Sequence, residues 1–187
     1  MAKENTSRYA ILGILSWGSM SGYDIKKWIE QSISNFWSES YGQIYPILKS
    51  LVAEGWATMS VKPQEGRPDR HVYTITESGK IALRAWLGHS IEYRSARSEL
   101  MLKLFFGGQG RPEDSIEHVE KHRQLQEELL QKYDQIVQWV HGTMSGHPNL
   151  DYWLITIRYG QHAARAEIAW CSETLETLNK RREREYG

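Results

Sequence analysis

Gly42-Gln-Ile-Tyr-Pro-Ile-Leu-Lys-Ser-Leu-Val-Ala-Glu-Gly55, with Gly66-Arg-Pro-Asp-Arg-His-Val-Tyr-Thr-Ile-Thr76 behind it, decides the fold. In the first stretch Ile44, Ile47, Leu48, Leu51 and Val52 recur at helical spacing, so a helix from about Tyr41 to Glu54 buries one stripe. Tyr41, Gln43, Tyr45 and Lys49 then fall on its outer face. Pro46 belongs in or near the first turn, because deeper in the helix it would remove a backbone bond. Gly55 suits a left-handed C-terminal cap. The second stretch is a turn bearing Arg67 and Arg70 that leads into a strand. A helix able to enter a major groove, followed by a basic hairpin that flanks it, is the winged helix-turn-helix solution.

The flanking sequence completes a small domain. Arg8–Trp17 reads as a buried first helix with Thr6 or Ser7 as its cap, and Gly18–Gly22 as a turn. Ser21 with Asp24 has the form of a capping box for a second helix, whose Ile25, Trp28 and Ile29 share one face. Phe36 and Trp37, in the connection that follows, are expected to pack back on the core. Trp56–Lys62 and His71–Thr76 alternate as strands, and Thr76 opens a fourth helix with Ile81, Leu83, Trp86 and Leu87 as its apolar contacts. The charged segment Glu92–Ser98 is the expected linker.

Beyond it lie a short apolar helix, Glu99–Phe106, and two long ones. The first begins at Arg111-Pro112 and ends near His141; the second runs from Asp151 to about Arg184, after a reversal at Gly142–Pro148. Leu150, Leu154, Ile157, Gln161, Ala164, Ile168, Cys171, Leu175 and Leu178 alternate steps of four and three, a coiled-coil seam. Ile116, Val119, Leu130, Tyr133, Val137 and Val140 repeat the spacing on the preceding helix. A second copy of the chain is the simplest partner for such a hairpin, and the seam is the expected dimer interface. The fold class is therefore mainly α: a winged helix-turn-helix with a two-stranded wing over residues 1–90, and a coiled-coil-like long-helix hairpin for dimerisation over 91–187.

Composition narrows the function. The 187 residues carry 23 Lys/Arg and 23 Asp/Glu. Residues 1–90 hold ten basic against eight acidic side chains and residues 91–187 thirteen against fifteen, so the N-terminal part is mildly basic. Near-neutrality predicts weak non-specific binding to nucleic acid, since phosphate affinity depends on local clusters. One cysteine, Cys171, excludes an internal disulfide framework and fits a reducing cytoplasm. Neither a signal-like N-terminus nor an apolar run of membrane-spanning length is present.

Taken together, Ser21-Gly-Tyr-Asp-Ile25, Phe36-Trp37, Gln43-Ile-Tyr-Pro46, Leu48, Leu51, Gly55, Gly66-Arg-Pro-Asp-Arg70, Tyr73-Thr-Ile-Thr76, Gly79 and Leu102-Lys-Leu-Phe-Phe106 carry a family likeness. The chain resembles PadR-family transcriptional regulators, in particular the subgroup with a long helical C-terminal domain found in related virulence-gene activators. The resemblance implies a homodimer on an inverted-repeat operator of double-stranded DNA, usually a repressor and sometimes an activator. It also implies that a phenolic or planar aromatic effector can act on some members, and it makes Tyr45 a DNA contact.

On this reading Gln43 and Ser40 carry base readout, because an amide can donate and accept at an adenine edge. Tyr41, Tyr45 and Lys49 reach phosphates or base edges, Arg67 and Arg70 meet phosphate or minor-groove surface, and Lys62 supports the wing. Lys26 and Lys27 are either phosphate contacts or a solvated face. The competing readings have less behind them. His118 and His122 stand four apart on one helix, a spacing that can bind zinc but that also describes two exposed histidines on a charged face. Cys171 sits on the seam and reads as a buried, inert thiol. No enzyme motif, cofactor loop or metal site is expected. Trp139, Trp153 and Trp170, with Met101 and Phe105, are candidates to line an aromatic cavity, although tryptophans more often pack structurally. The remaining alternative is a coiled-coil interaction module whose winged helix does not touch DNA.

Overall fold

A computed structural model of the chain describes residues 6–34, 36–37, 39–63, 66, 69–91 and 97–186. Two compact units divide it, Met1–Tyr93 and Arg94–Gly187. The first contains α1 (Ser7–Leu15), β1 (Met20–Ser21), α2 (Gly22–Ser32), α3 (Tyr41–Ala53), β2 (Ala57–Lys62), β3 (Arg70–Ile75) and α4 (Glu77–Leu87). Helices and wing thus follow in the expected order, with one addition. Met20 and Ser21, expected in a turn, pair antiparallel with Tyr73 and Val72, so the sheet has three strands in the order β1-β3-β2. A strand of two residues is too short for alternation to reveal it.

The core of this unit is where α1, α2 and α3 meet. Ile11, Leu12, Ile25, Ile29, Ile44, Leu48 and Leu51 are all fully buried there. Each such side chain contributes about 1.5–3 kcal/mol, whereas an exposed ion pair contributes about 0–1 kcal/mol. The apolar stripe, not the surface charges, therefore sets the rotation of α3. Aromatic rings extend the core: Tyr9 stacks on Trp86 at 4.7 Å and Trp17 meets Trp28 edge-on at 5.5 Å. Arg8 lies 4.2 Å over the Trp56 ring and pairs with Glu54.

Several local expectations are corrected. Phe36 is 56% exposed and does not return to the core, while the Trp37 indole donates to Glu39 at 3.0 Å. On α4, Leu83 and Trp86 pack inward, but Ile81 and Leu87 point to solvent because the helix touches its unit along a narrow line. Thr6 occupies the cap position of α1 without a side-chain bond. Pro46 lies in the second turn of α3, not its first, and forgoes the bond to the Gly42 carbonyl.

The two ends of α3 are finished differently. At its C-terminus Gly55 has φ +73°, and the Gly55 and Trp56 amides donate to the carbonyls of Val52 and Leu51, the paired bonds of a Schellman motif. The start of α4 docks on that corner. Thr76 and Ser78 donate their hydroxyls to the Gly55 carbonyl at 2.6 and 2.8 Å, and Thr76 accepts from the Gly79 amide. Gly79 packs so closely on the Trp56 carbonyl that no Cβ fits between them.

The second unit contains α5 (Glu99–Phe105), a 3-10 turn at Gly107–Gln109, α6 (Pro112–Thr143) and α7 (Leu150–Tyr186). Of the expected linker, residues 92–96 lie outside the described residues, and Ser98 caps α5 by accepting from the Met101 amide at 3.2 Å. Helices α6 and α7 form a hairpin whose buried cluster is Tyr133, Val140, Leu154 and Ile157. Gly160 makes room for the Tyr133 ring. Gly146, with φ +86°, turns the chain, and the His147 ring stacks on Trp153 at 4.4 Å.

Gly79→Ala should destabilise the first unit by about 1–3 kcal/mol through overpacking against backbone that cannot yield. Denaturant unfolding followed by tryptophan fluorescence measures it, and an unchanged midpoint would contradict this close approach.

Candidate nucleic-acid interface

Burial of Ile44, Ile47, Leu48 and Leu51 leaves Tyr41, Gln43, Tyr45 and Lys49 exposed on the opposite side of α3. Tyr23, from the first turn of α2, joins them with 62% of its surface open. Loss of solvent, and then the neighbouring Tyr23, push the Tyr41 phenol above its ordinary value. Burial, and then Tyr45, do the same for Tyr73. Tyr23, Tyr41 and Tyr45 thus present exposed phenols from α2 and α3, whereas Tyr73 of β3 is buried. The place of Tyr23 beside Tyr45 depends on how α2 and α3 pack, which spacing along the chain does not show. Gly22 provides the seat: a Cβ there would stand 2.8 Å from Tyr45 Cε1. Lys26 Nζ lies 2.8 Å from Glu30 and 6.0 Å from the centre of the Tyr41 ring, so its charge is partly engaged within the protein.

The two residues expected to read bases are engaged with each other. Gln43 Oε1 accepts from the Ser40 amide at 3.1 Å and from the Ser40 hydroxyl at 3.0 Å, capping α3. Only the Gln43 NH2 faces outward as a ready donor, so two-point contact with adenine requires the cap to open. Glu39, one residue earlier, escaped the sequence reading altogether. It is buried, its Oε1 accepts from Ser7 and Trp37, and its Oε2 has no hydrogen-bond partner among the described residues. A carboxylate at the end of a polar connection gives no sign of burial.

In the wing, Lys62 and Arg70 are register partners across β2 and β3, and both are exposed. Arg70 pairs with Asp24 on α2. Partial burial of Asp24 opposes ionisation, but hydrogen bonds from Ser21 and Arg70 outweigh it and hold the carboxyl below its usual range. Arg67 lies outside the described residues. An open groove of about 540 Å³ runs between α2, α3 and β3, lined by Ser21, Tyr23, Asp24, Tyr45, Asp69, Arg70 and His71.

The α7 seam has a partner within the chain. Leu154, Ile157, Ala164 and Cys171 are 7%, 6%, 1% and 0% exposed with no second chain present. Leu150, Gln161, Ile168, Leu175 and Leu178 are half-buried, and Gln161 donates to Asp134 of α6 at 2.7 Å. Helix α6 of the same chain therefore covers much of the stripe expected to face a second copy and leaves these five positions part-open. Burial, and then Glu167, raise the Cys171 thiol above its ordinary value, which suits an inert side chain. The unpartnered apolar surface of α7 lies roughly opposite. Tyr152, Ile155 and Tyr159 are 71%, 60% and 75% exposed, and Ala163 and Ala166 continue the same face.

The aromatic residues named for a cavity do not converge. Trp153 packs in the hairpin core, Trp139 is partly exposed and Phe105 is largely exposed. Trp170 and Met101 do share a cavity of about 300 Å³, with Ser98, Leu100, His122 and Glu167. His122 Nε2 lies 3.2 Å from Glu167 Oε2, so that histidine is engaged by a carboxylate across the hairpin. Among the described residues no group of three or more His, Cys, Asp or Glu side chains has metal-binding geometry, and no helix is long and apolar enough to cross a membrane.

Comparison with known proteins gives this geometry a context. Residues 11–85 match the model of the transcriptional regulator PadR-like family, and residues 96–179 match the virulence activator alpha C-terminal model. The chain is 29% identical to the negative transcriptional regulator PadR of Bacillus subtilis, over 92% of this chain and 97% of that protein. A crystal structure of that PadR with operator DNA superposes with a TM-score of 0.81, at 27% identity, covering 93% of this chain and 99% of that one. The same protein has been solved with p-coumaric acid (TM-score 0.76, 27% identity, 94% and 99% coverage). Smu.1604c of Streptococcus mutans gives 0.78 at 30% identity with 90% and 98% coverage. The Vibrio cholerae virulence activator AphA gives 0.73 at 26% identity, with 92% and 98% coverage.

Gly22→Ala should push the Tyr45 ring off its seat without disturbing the core. In NMR spectra the Tyr45 ring resonances should move while the Ile25 and Ile29 methyls stay; unmoved Tyr45 signals would contradict the contact.

Proposed function

We propose that this chain, which carries a PadR-like transcriptional regulator domain over residues 11–85, binds an inverted-repeat operator as a homodimer and acts as a repressor. The observation that carries this reading is the exposed patch of Tyr23, Tyr41, Tyr45 and Lys49 beside the wing root, on a fold that matches an operator-bound relative along nearly its full length. Such a surface suits duplex DNA: phenol hydroxyls and Lys49 meet phosphates or base edges, and the wing supplies Lys62, Arg67 and Arg70. Ser40 sets the first turn, and Gln43 offers its amide NH2 to one base. Two copies related by a two-fold axis meet half-sites about one helical turn, or a multiple, apart.

For the dimer contact we favour the open face of α7 over the seam Leu150–Leu178. Tyr152, Ile155, Tyr159, Ala163 and Ala166 repeat at steps of three and four, and a helix with two apolar faces needs two neighbours.

A small aromatic acid is the effector class that fits best. The relative's complex with p-coumaric acid supports it, as does the cavity beside Trp170 and Met101, which combines apolar walls with a His122–Glu167 polar pair. Bound effector would relieve repression by favouring a form that holds the operator less well.

Three measurements test these statements. In gel-shift titrations against selected genomic fragments, Tyr45→Ala, Lys49→Ala and Arg67→Ala should weaken binding to every duplex, and the two charge removals should also flatten its salt dependence. Gln43→Ala should relax discrimination at one base pair per half-site by about 1–3 kcal/mol; no loss for any of these variants would favour an interaction module that leaves DNA alone. In sedimentation experiments Tyr159→Glu should give a folded monomer, whereas Ile157→Glu should unfold the hairpin because its charge lies against α6. A dimer that survives Tyr159→Glu would move the interface elsewhere. Finally, p-coumarate should release the operator from the wild-type chain and do so less well after Trp170→Ala.

A further inference from the structure

The wing root poses an electrostatic problem that α2 resolves. Lys62 and Arg70 stand opposite each other across the β2–β3 ladder, and like charges in that position destabilise a strand pair. The counter-charge comes from another element. Asp24 Oδ2 accepts from the Arg70 guanidinium, and the same oxygen accepts from the Ser21 amide at 2.9 Å and the Ser21 hydroxyl at 2.7 Å. Asp24 also serves the capping box of α2, its own amide donating to Ser21 Oγ at 3.3 Å. Two bonds from Ser21 thus fix the carboxylate before it meets the arginine, and the Asp24 amide ties the same serine back to the helix. The pair lies in the groove that Tyr23 and Tyr45 also line, with Asp69 as a second carboxylate on its wall.

An arginine on a duplex-facing surface would ordinarily bind any phosphate within reach. Here its charge is already offset and its side chain already aimed. We propose that Asp24 is a positioning residue for DNA recognition. It holds the Arg70 guanidinium in the groove and withholds it from indiscriminate phosphate contact, so that the wing root contributes to discrimination between operator and random duplex. The inference rests on the DNA-binding reading above and assigns a role to a residue that need not touch DNA. It also gives the chain's near-neutral charge a local counterpart, since the groove carries its own acidic side chains.

Asp24→Asn keeps an oxygen to accept from Ser21 and removes the charge. Titrations against the operator and a scrambled duplex of equal length, at several salt concentrations, should show the variant binding the scrambled duplex about tenfold more tightly. The salt slope should steepen by about one per protomer, as expected for one added phosphate contact, and the ratio of operator to scrambled affinity should fall. Asp24→Glu, which retains the charge, should return the ratio toward wild type. In an Arg70→Gln background Asp24→Asn should change neither slope nor ratio. Arg70→Gln alone should lower operator affinity while leaving scrambled-duplex binding nearly unchanged, which keeps the proposal testable even if Asp24→Asn melts early. An unchanged ratio and slope in Asp24→Asn would overturn it. So would an effect that persists without Arg70, or an Arg70→Gln that weakens both duplexes alike. A wild-type chain that binds no duplex overturns this inference and the DNA-binding reading together, whereas wild-type binding with an inert Asp24→Asn overturns this inference alone.

Discussion

Three side chains of α3, Ile44, Leu48 and Leu51, are sealed beneath α1 and α2, and the surface of the first unit follows from that burial. Because apolar area, not surface charge, fixes the helix about its axis, the residues on the far side have no freedom to choose their direction. Tyr41, Tyr45 and Lys49 face outward as the geometric complement of the core stripe. Tyr23 is brought to the same patch by the packing of α2, and the wing root by the strands that leave the C-terminal corner of α3. A change in the core would thus be read out as a rotation of the whole candidate interface.

Helix α7 shows how the same logic can leave its destination open. The spacing from Leu150 to Leu178 says that one face is buried, and the face is indeed covered, but periodicity does not say by what. Helix α6 of the same chain supplies the partner, with Tyr133 filling the notch at Gly160. The second apolar face is harder to see in sequence. Tyrosine occurs readily at surfaces, alanine is compatible with either environment, and Ile155 alone gives no pattern. Only the exposure of Tyr152, Ile155 and Tyr159 in the folded hairpin separates an open apolar stripe from ordinary surface.

The helices, the wing and most of the caps were legible because each rests on local chemistry. Spacing gives the stripes, Gly55 the left-handed corner, and Ser21 with Asp24 the start of α2. What was not legible depends on contacts between distant residues. The two-residue β1 exists only because Tyr73 and Val72 pass beside it. Phe36 looks like a core residue until the packing leaves it outside. Glu39 looks like a surface acid until Ser7 and Trp37 close over it. Gln43 is the most instructive case, since the donor–acceptor capacity that recommended it for base reading is the capacity the α3 cap uses.

The C-terminal corner of α3 is clamped by the Gly55 turn, the hydroxyls of Thr76 and Ser78, and the contact of Gly79 with Trp56. Its outward positions take no part in that clamp. Anchoring and reading are therefore carried by different residues of one helix, and mutation can act on them separately. Substitutions at Gln43, Tyr45 or Lys49 can accumulate without loosening the corner that orients them. Such a division lets a lineage retarget its binding preference by small steps while the scaffold stays under independent selection, so the fold tolerates divergence in specificity sooner than divergence at Gly55 or Gly79.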